Sequence, residues 1–364
     1  MDTAQTARLC TLFMLGEPLH GPQAIQGGLL HRLWRLQTSH GIFAVKQLNP
    51  AIMRKPDIRD DYRLTERIAA AMAVQGVPAA VALKGEGDGE TVQEIGGATF
   101  MVYHWIDGET LPIKAVAPER TRLIGTIMAR MHSLPQQFPE LTPHSWEQFS
   151  EDEWDMLTFQ ASDRDIPWTQ QVRNALPLLN EWSRLDAEAN TILRRTSVMS
   201  HRDLDQKNVL WRDISSPVVI DWEAAGLTNP TMDVVGVALS WSGQNVQPPQ
   251  EDSFNALLEG YVSAGGIIHD SGIVAMYGVI GNWLGWLLFN MHRSLGESVN
   301  SEEERLLGIR ETSSTLSTLR ALAANAEKWA RWVDQWGTRA PLLTLNPSRR
   351  FPEQKRSDRQ DDNE

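Results

Sequence analysis

The chain has 364 residues, 41% of them hydrophobic and 22% charged, which is the make-up of an ordinary globular protein long enough for more than one core. A formal net charge of −12 argues against nucleic acid, whose phosphates demand clustered Lys and Arg, and favours a cationic partner. One cysteine, Cys10, excludes an intrachain disulfide and fits a reducing, cytoplasmic setting, and no zinc-ligand cluster is visible.

Residues 1–24 carry no clear structural pattern, and Met1–Arg8 lacks the basic start and apolar run of a signal peptide. A hairpin is expected next. Gly27-Gly28 precede the run Leu29–Leu36, and after the turn Thr38-Ser39-His40-Gly41 comes Ile42–Leu48, which contains Phe43-Ala44-Val45-Lys46. Asp57–Val74 places Leu64, Ile68, Ala71 and Met72 at helical steps, carries Glu66, and is stopped by Gly76-Val77-Pro78. Strands are expected over Ala80–Lys84 and Ala98–His104, with Asp88-Gly89 as a turn. Pro118–Leu134 reads as an amphipathic helix, with His132 a helix-end residue favoured by the dipole. Gln136–Pro167 reads as an insertion of loops and short helices, and Asp186–Leu193 as a helix leading into the most informative stretch.

That stretch is Ser200-His-Arg-Asp-Leu-Asp-Gln-Lys-Asn-Val-Leu-Trp211, followed by Val218-Val219-Ile220-Asp221-Trp222-Glu223. Asp203 and Asn208 have the spacing of a catalytic loop in which an aspartate accepts a proton from an attacking hydroxyl and an amide oxygen holds magnesium. Asp221 ends a β-branched run, which puts its carboxylate at a strand terminus beside that loop, where a second metal ligand is needed. Phosphoryl transfer asks little covalent chemistry of a protein, so one base and two oxygen ligands suffice. A lone His-x-Asp would be an ordinary turn; Asn208 and the strand ending at Asp221 distinguish this one. Leu204, Val209 and Leu210 would plug the loop into the core, with Arg202 as an internal tether.

These residues, with Asp221-Trp-Glu-Ala-Ala-Gly-Leu-Thr-Asn-Pro-Thr-Met-Asp233, resemble the aminoglycoside phosphotransferase and choline kinase group of small-molecule kinases. Trp-Glu after Asp221, the absence of an Ala-Pro-Glu segment beyond it and the short interval to Asp233 separate the chain from protein kinases. It departs from aminoglycoside kinases at Arg202, where they usually carry glycine, and at Asp205, where they usually carry histidine. The resemblance implies an α+β, bilobal protein-kinase-like fold: a small β-rich N-lobe with one main helix, residues 1–105, and a larger, mainly helical C-lobe, residues 106–345. It implies that the Gly27-Gly28 turn closes over the nucleotide phosphates and that Lys46 reaches the α and β phosphates. Glu66 is the carboxylate chosen to pair with Lys46, with Asp60, Asp61 and Glu90 as the other candidates. Main-chain groups near Tyr103, His104 and Trp105 would hold the purine of ATP or GTP. Asp233 would brace the catalytic loop, and Glu223 would approach the metal or the substrate ammonium, or cap a turn.

Beyond Asp233 the pattern is helical over Val234–Ser242, Ser253–Ala264, Gly272–Ser294 and Glu302–Trp336, the last with a break. Ser271–Met291 lacks formal charge and is long enough to cross a bilayer, but its glycines, Asn282, and Trp283, Trp286, Leu287 and Asn290 at helical spacing mark a buried helix, so no membrane partner is expected. Residues 346–364 read as a disordered tail. The expected activity is magnesium-dependent transfer of a γ-phosphoryl group to a small-molecule hydroxyl, on an aminoglycoside-like cationic acceptor. The alternatives are a metabolic kinase for choline, homoserine or a thio-sugar, and a non-catalytic nucleotide-binding pseudokinase.

Overall fold

A computed structural model of the chain describes residues 1–25, 31–135, 138–141, 146, 148–244, 248–297, 299 and 301–337. The Gly27-Gly28 turn and the tail expected over residues 346–364 lie outside these. The N-terminal part is built on an antiparallel sheet of β1 (Gln23–Ile25), β2 (Arg32–Thr38), β3 (Gly41–Gln47), β4 (Gln93–Ile95) and β5 (Ala98–His104), in the order β1-β2-β3-β5-β4. The two-residue turn Ser39-His40 fixes the hairpin register, with Thr38 opposite Gly41 and Leu33 opposite Lys46.

Alternation along β3 sends Phe43 and Val45 to one face and Ala44 and Lys46 to the other. The first face packs with Leu9, Cys10 and Phe13 from α1 (Thr3–Leu12) and the residues just after it. The second packs under α2 (Ile58–Val74), with Tyr62, Met101 and partly buried Tyr103 in one apolar cluster. Lys46 therefore points to the α2 side. Fully buried Ile68, Ala69 and Met72 join α2 to the helical part as well. Each large apolar side chain so buried contributes about 1.5–3 kcal/mol.

The C-terminal part is mainly helical: α3 (Pro118–His132), α4 (Glu151–Asp163), α5 (Thr169–Arg173), α6 (Leu176–Leu193), α7 (Pro230–Trp241), α8 (Glu251–Ser263), α9 (Gly272–Ser294) and α10 (Glu302–Gly337). At the crossing of α3 and α8, an added Cβ on Gly125 would lie 2.0 Å from the Leu257 carbonyl oxygen, and one on Gly260 the same distance from that of Arg122. Only glycine lets these backbones approach so closely. Among the described residues α9 is the one helix long and apolar enough to cross a membrane; it packs against α6, α7 and α10.

Three local expectations are corrected. Residues 1–24 contain α1, started by a capping box in which the Asp2 side chain accepts from Gln5 N–H while Gln5 reaches back to Asp2 N–H. Ala80–Lys84 is an extended segment and not a strand, because Ala80 N–H goes to Val219 O (2.8 Å) and Leu83 N–H to Val102 O (2.7 Å), two partners on different elements. Helix α10 runs unbroken over 36 residues, buried along one face by Leu316, Leu319, Leu322, Trp329 and Val333.

Candidate active site

Two short ladders bring the catalytic stretch together. Strand β6 (Val198–Ser200) pairs with β9 (Gly226–Thr228), and β7 (Val209–Trp211) with β8 (Pro217–Val219). Ser200 lies opposite Gly226 and Val209 opposite Val219, so the loop 201–208 and the turn 220–225 are clamped side by side at both ends. Ile220 N–H donates to Asn208 O at 2.9 Å. His201, fully buried, closes the other end: Asp203 N–H donates to its Nδ1 (3.3 Å), which leaves the hydrogen on Nε2 to donate to Ile220 O (2.9 Å). Burial pushes the His201 pKa down, and its ring stands edge-on to Trp222 at 4.8 Å.

The loop is also stitched to α7. Trp241 Nε1 donates to Leu204 O at 2.9 Å, and buried Gln206 donates through Nε2 to Ser240 O at 2.9 Å. The tether expected of Arg202 is thus supplied by His201 and Gln206. Arg202 is exposed and sits at φ +64°, in the left-handed region, which accounts for a glycine preference at such a position. Asp233 accepts two hydrogen bonds on Oδ2, from Ser200 Oγ (2.6 Å) and His132 Nε2 (3.0 Å). His132, whose Nδ1 lies 2.8 Å from the Tyr261 hydroxyl, is part of this brace and more than a helix-end residue.

Asp203 and Asn208 meet directly. Asn208 Nδ2 donates to both the backbone oxygen and Oδ2 of Asp203, each at 2.8 Å, which settles the amide orientation and leaves Asn208 Oδ1 for another partner. Lys207 Nζ lies 3.4 Å from Asp203 Oδ2 and 3.2 Å from Asp205 Oδ2. Burial pushes the Asp203 carboxyl above the ordinary range, with Asp205 adding to the rise and Lys207, His201 and Asn208 opposing it. Asp221, at φ +63°, turns its carboxylate to the sheet, where Lys46 Nζ donates to Oδ1 at 2.6 Å.

Lys46 does not pair with Glu66. Its second partner is Glu223 Oε2 at 2.8 Å. That oxygen also lies 3.0 Å from His31 Nε2 and 3.4 Å from the Tyr62 hydroxyl, which is itself 2.9 Å from His31 Nε2. Asn49 N–H donates to His31 Nδ1 at 3.0 Å, so the ring hydrogen is on Nε2 and aimed at Glu223. Burial pushes the Glu223 carboxyl up, but His31 and Lys46 outweigh it and bring its pKa down to about 2. Burial alone would lower the Lys46 pKa, yet Asp221 and Glu223 hold it above the ordinary lysine value. Glu66 is buried and makes no hydrogen bond or ion pair with the ammonium, although the Lys46 charge pulls its carboxyl down; its Oε1 takes the Tyr103 hydroxyl at 2.7 Å and its Oε2 takes Ala82 N–H at 3.0 Å. Of the other candidates, Asp60 and Glu90 pair with Arg63, and Asp61 is exposed in the first turn of α2.

At the end of β5, Tyr103 sends its side chain inward to Glu66, and Trp105 Nε1 donates to Asp107 at 2.9 Å. Val102 O faces away from β3 to take Leu83 N–H. By strand alternation His104, two residues on, turns its carbonyl and N–H to that same edge.

Asn208 Oδ1 and Asp221 Oδ2 are the oxygens that these bonds leave available to a cation. An all-oxygen pair fits a hard ion such as Mg²⁺. Among the described residues no group of three or more His, Cys, Asp and Glu could hold a metal, so phosphates and water would complete the shell, as Mg²⁺ favours. Glu223, read from the sequence as approaching the metal or the substrate ammonium or capping a turn, pairs with Lys46, and His132, read as a helix-end residue, braces Asp233; His31 and Tyr62 are the participants that nothing in the sequence marked.

A profile of the phosphotransferase enzyme family matches residues 22–267, about two thirds of the chain. Comparison with curated proteins gave no match. Among solved structures, spectinomycin phosphotransferase in complex with ADP and spectinomycin is similar with a TM-score of 0.67 and 12% identity, over 89% of this chain and 99% of that one. Plasmodium vivax ethanolamine kinase gives 0.54 and 14% over 83% of each chain. Choline kinase from Cryptosporidium parvum Iowa II gives 0.55 and 12% over 92% and 100%. At such identities the likeness is one of fold, and it is the bilobal α+β kinase-like fold expected from the sequence.

Proposed function

The chain belongs to the phosphotransferase enzyme family and is a phosphotransferase with an alcohol group as acceptor; from that premise we propose that it transfers the γ-phosphoryl of ATP, or GTP, to a hydroxyl of an aminoglycoside-like, cationic antibiotic or metabolite. The observation that carries this reading is the convergence of Asp203, Asn208, Asp221 and Lys46 on one cleft between sheet and helices. The Asp203 oxygen that Asn208 does not hold accepts the acceptor's hydroxyl proton, and the upward push of burial brings this base closer to working pH. Lys46 offers its ammonium to the phosphates. Asn208 and Asp221 would hold Mg²⁺, which would spread the charge of the transferring group. The free edge of His104 offers the purine a donor and an acceptor. A cationic acceptor is supported by the net charge of −12 and by the likeness to a kinase whose ligand is spectinomycin.

The test is nucleotide consumption by the purified chain across aminoglycosides, aminocyclitols, choline, ethanolamine, homoserine and thio-sugars. Turnover with a cationic amino-sugar or aminocyclitol supports the acceptor class, and turnover confined to choline or homoserine would replace it. Asp203→Ala should lower kcat by about 10²–10⁴ with the fold intact by circular dichroism; full turnover would reject the base.

A further inference from the structure

We propose that Glu223, itself held by His31 and Tyr62, is the residue that positions Lys46 for the nucleotide phosphates, in place of the helix glutamate Glu66. The inference rests on the kinase reading above and concerns the same cleft. A lysine carries a point charge on a flexible stem, so where the ammonium waits is decided by its counter-charges. Lys46 has two within hydrogen-bond distance, Asp221 at 2.6 Å and Glu223 at 2.8 Å. Asp221 cannot serve as the dedicated holder if it also binds the metal, because a cation drawn to its carboxylate competes with the ammonium for the same charge. Glu223 has no such second task in this geometry. Its Oε2 receives three groups from three different elements: Lys46 of β3, His31 just before β2, and Tyr62 of α2.

The holders are themselves fixed. Asn49 N–H occupies His31 Nδ1 and leaves only Nε2–H to point at Glu223, so the imidazole is locked in one tautomer and one orientation. Tyr62 is buried and rides on the helix packed against the turn Trp222–Ala224 that carries Glu223. Glu66, one helical turn beyond Tyr62, has both oxygens engaged by Tyr103 and Ala82 N–H. Rotating it to Lys46 would strand a buried hydroxyl and a buried amide, a cost of about 1–3 kcal/mol for each. The ammonium is therefore tied across the cleft to the turn that follows Asp221, and not to the helix above it.

The experiment is titration of the full-length chain with a non-hydrolysable ATP analogue and Mg²⁺ by calorimetry. It needs no acceptor, so it stands apart from the acceptor assignment. Glu223→Gln should weaken binding by about tenfold or more, the effect of losing one charge-assisted hydrogen bond. Tyr62→Phe, which keeps the carboxylate and removes one holder, should weaken it by about threefold. Glu66→Gln should stay within about twofold. Lys46→Met combined with Glu223→Gln should be no weaker than Lys46→Met alone, because Glu223 acts through the lysine. Four results would overturn the assignment: Glu66→Gln as damaging as Glu223→Gln, additive losses in the double variant, a Glu223→Gln defect cancelled by raising Mg²⁺, or unchanged binding by Tyr62→Phe. The Tyr62→Phe titration decides the matter alone if Glu223→Gln does not fold. Absence of nucleotide binding by the unaltered chain would overturn the kinase reading itself, and the positioning role with it.

Discussion

On the helical side of the cleft, the loop 201–208 is bonded at nearly every turn to buried backbone: Ile220 O, Asn208 O, Leu204 O and Ser240 O all take part. On the sheet side, Lys46 is held by two carboxylates and by the neutral donors that steady one of them. The first arrangement does not depend on what occupies the cleft, because its partners are fixed groups of the fold. The second is a balance of charges, and phosphates or a metal ion entering the cleft would redraw it. The proposed base Asp203, on a preformed loop, thus faces a lysine whose position is set by competition. This division suits a kinase, which must present a rigid acceptor side while admitting and releasing a highly charged nucleotide.

The sharpest way to break this contrast is to cut the brace under the loop. Asp233→Ala removes the shared acceptor of Ser200 Oγ and His132 Nε2 and leaves two buried donors unpaired. A loss of about 2–4 kcal/mol is expected, with a fall in turnover as Ser200, at the entrance to the loop, is released. Asp233→Asn retains one oxygen and should cost less. Thermal denaturation and kcat for the two variants check this. If Asp233→Ala melts like the unaltered chain, the helical side is not rigid for the reason given.

The same contrast explains what could be read from the sequence. Asp203, Asn208 and Asp221 lie within one short stretch, and their spacing alone pointed to the proposed site, because two local ladders convert sequence proximity into spatial proximity. Helix α9 was legible to its ends, Gly272 and Ser294, from its apolar spacing. The partner of Lys46 was not. His31 is 192 residues from Glu223, and Lys46 is 177 from it, so no local pattern records those contacts. Tyr62 and Glu66 occupy the same stripe of α2, and which of them meets the cleft depends on how the helix is seated on the sheet, a property of packing. The segment Ala80–Lys84 has the apolar character of a strand, but ladder formation needs one continuous neighbour and it has two partial ones.

A smaller effect is expected at Arg202, where the rigid side carries strain. A non-glycine residue at φ +64° costs about 1–2 kcal/mol relative to an ordinary conformation. The Arg202 side chain makes no hydrogen bond or ion pair to the described residues that would offset it, although its Nη1 lies 3.0 Å from where a Cβ on Gly226 would stand. Arg202→Gly should therefore raise stability by up to about 1 kcal/mol, partly offset by the greater freedom of glycine in the unfolded chain. Urea denaturation measures it. A clear loss would mean that the guanidinium stabilises the loop through the field of Asp233, whose charge acts on it.

The smallest effect, and the one that most sharpens the comparison, is the pH response of Glu66. Burial pushes its carboxyl above 4.5, and the bonds from Tyr103 and Ala82, with the charge of Lys46, only partly oppose that rise. The folded chain therefore holds this proton more tightly than the unfolded chain does, so folding stability falls as pH rises from the unfolded value through the folded one. Glu66→Gln carries no charge, keeps an oxygen for Ala82 N–H, and can offer its amide to the Tyr103 oxygen. The variant should match the unaltered chain near pH 4.5 and below, and gain on it above that pH. Melting temperatures of both proteins between about pH 4 and 8 give the answer. A difference that stays flat with pH would mean that Glu66 is solvated, and a variant that loses on the unaltered chain as pH rises would mean that Glu66 pairs with a cation, which would return it to Lys46 and remove the distinction between the two glutamates.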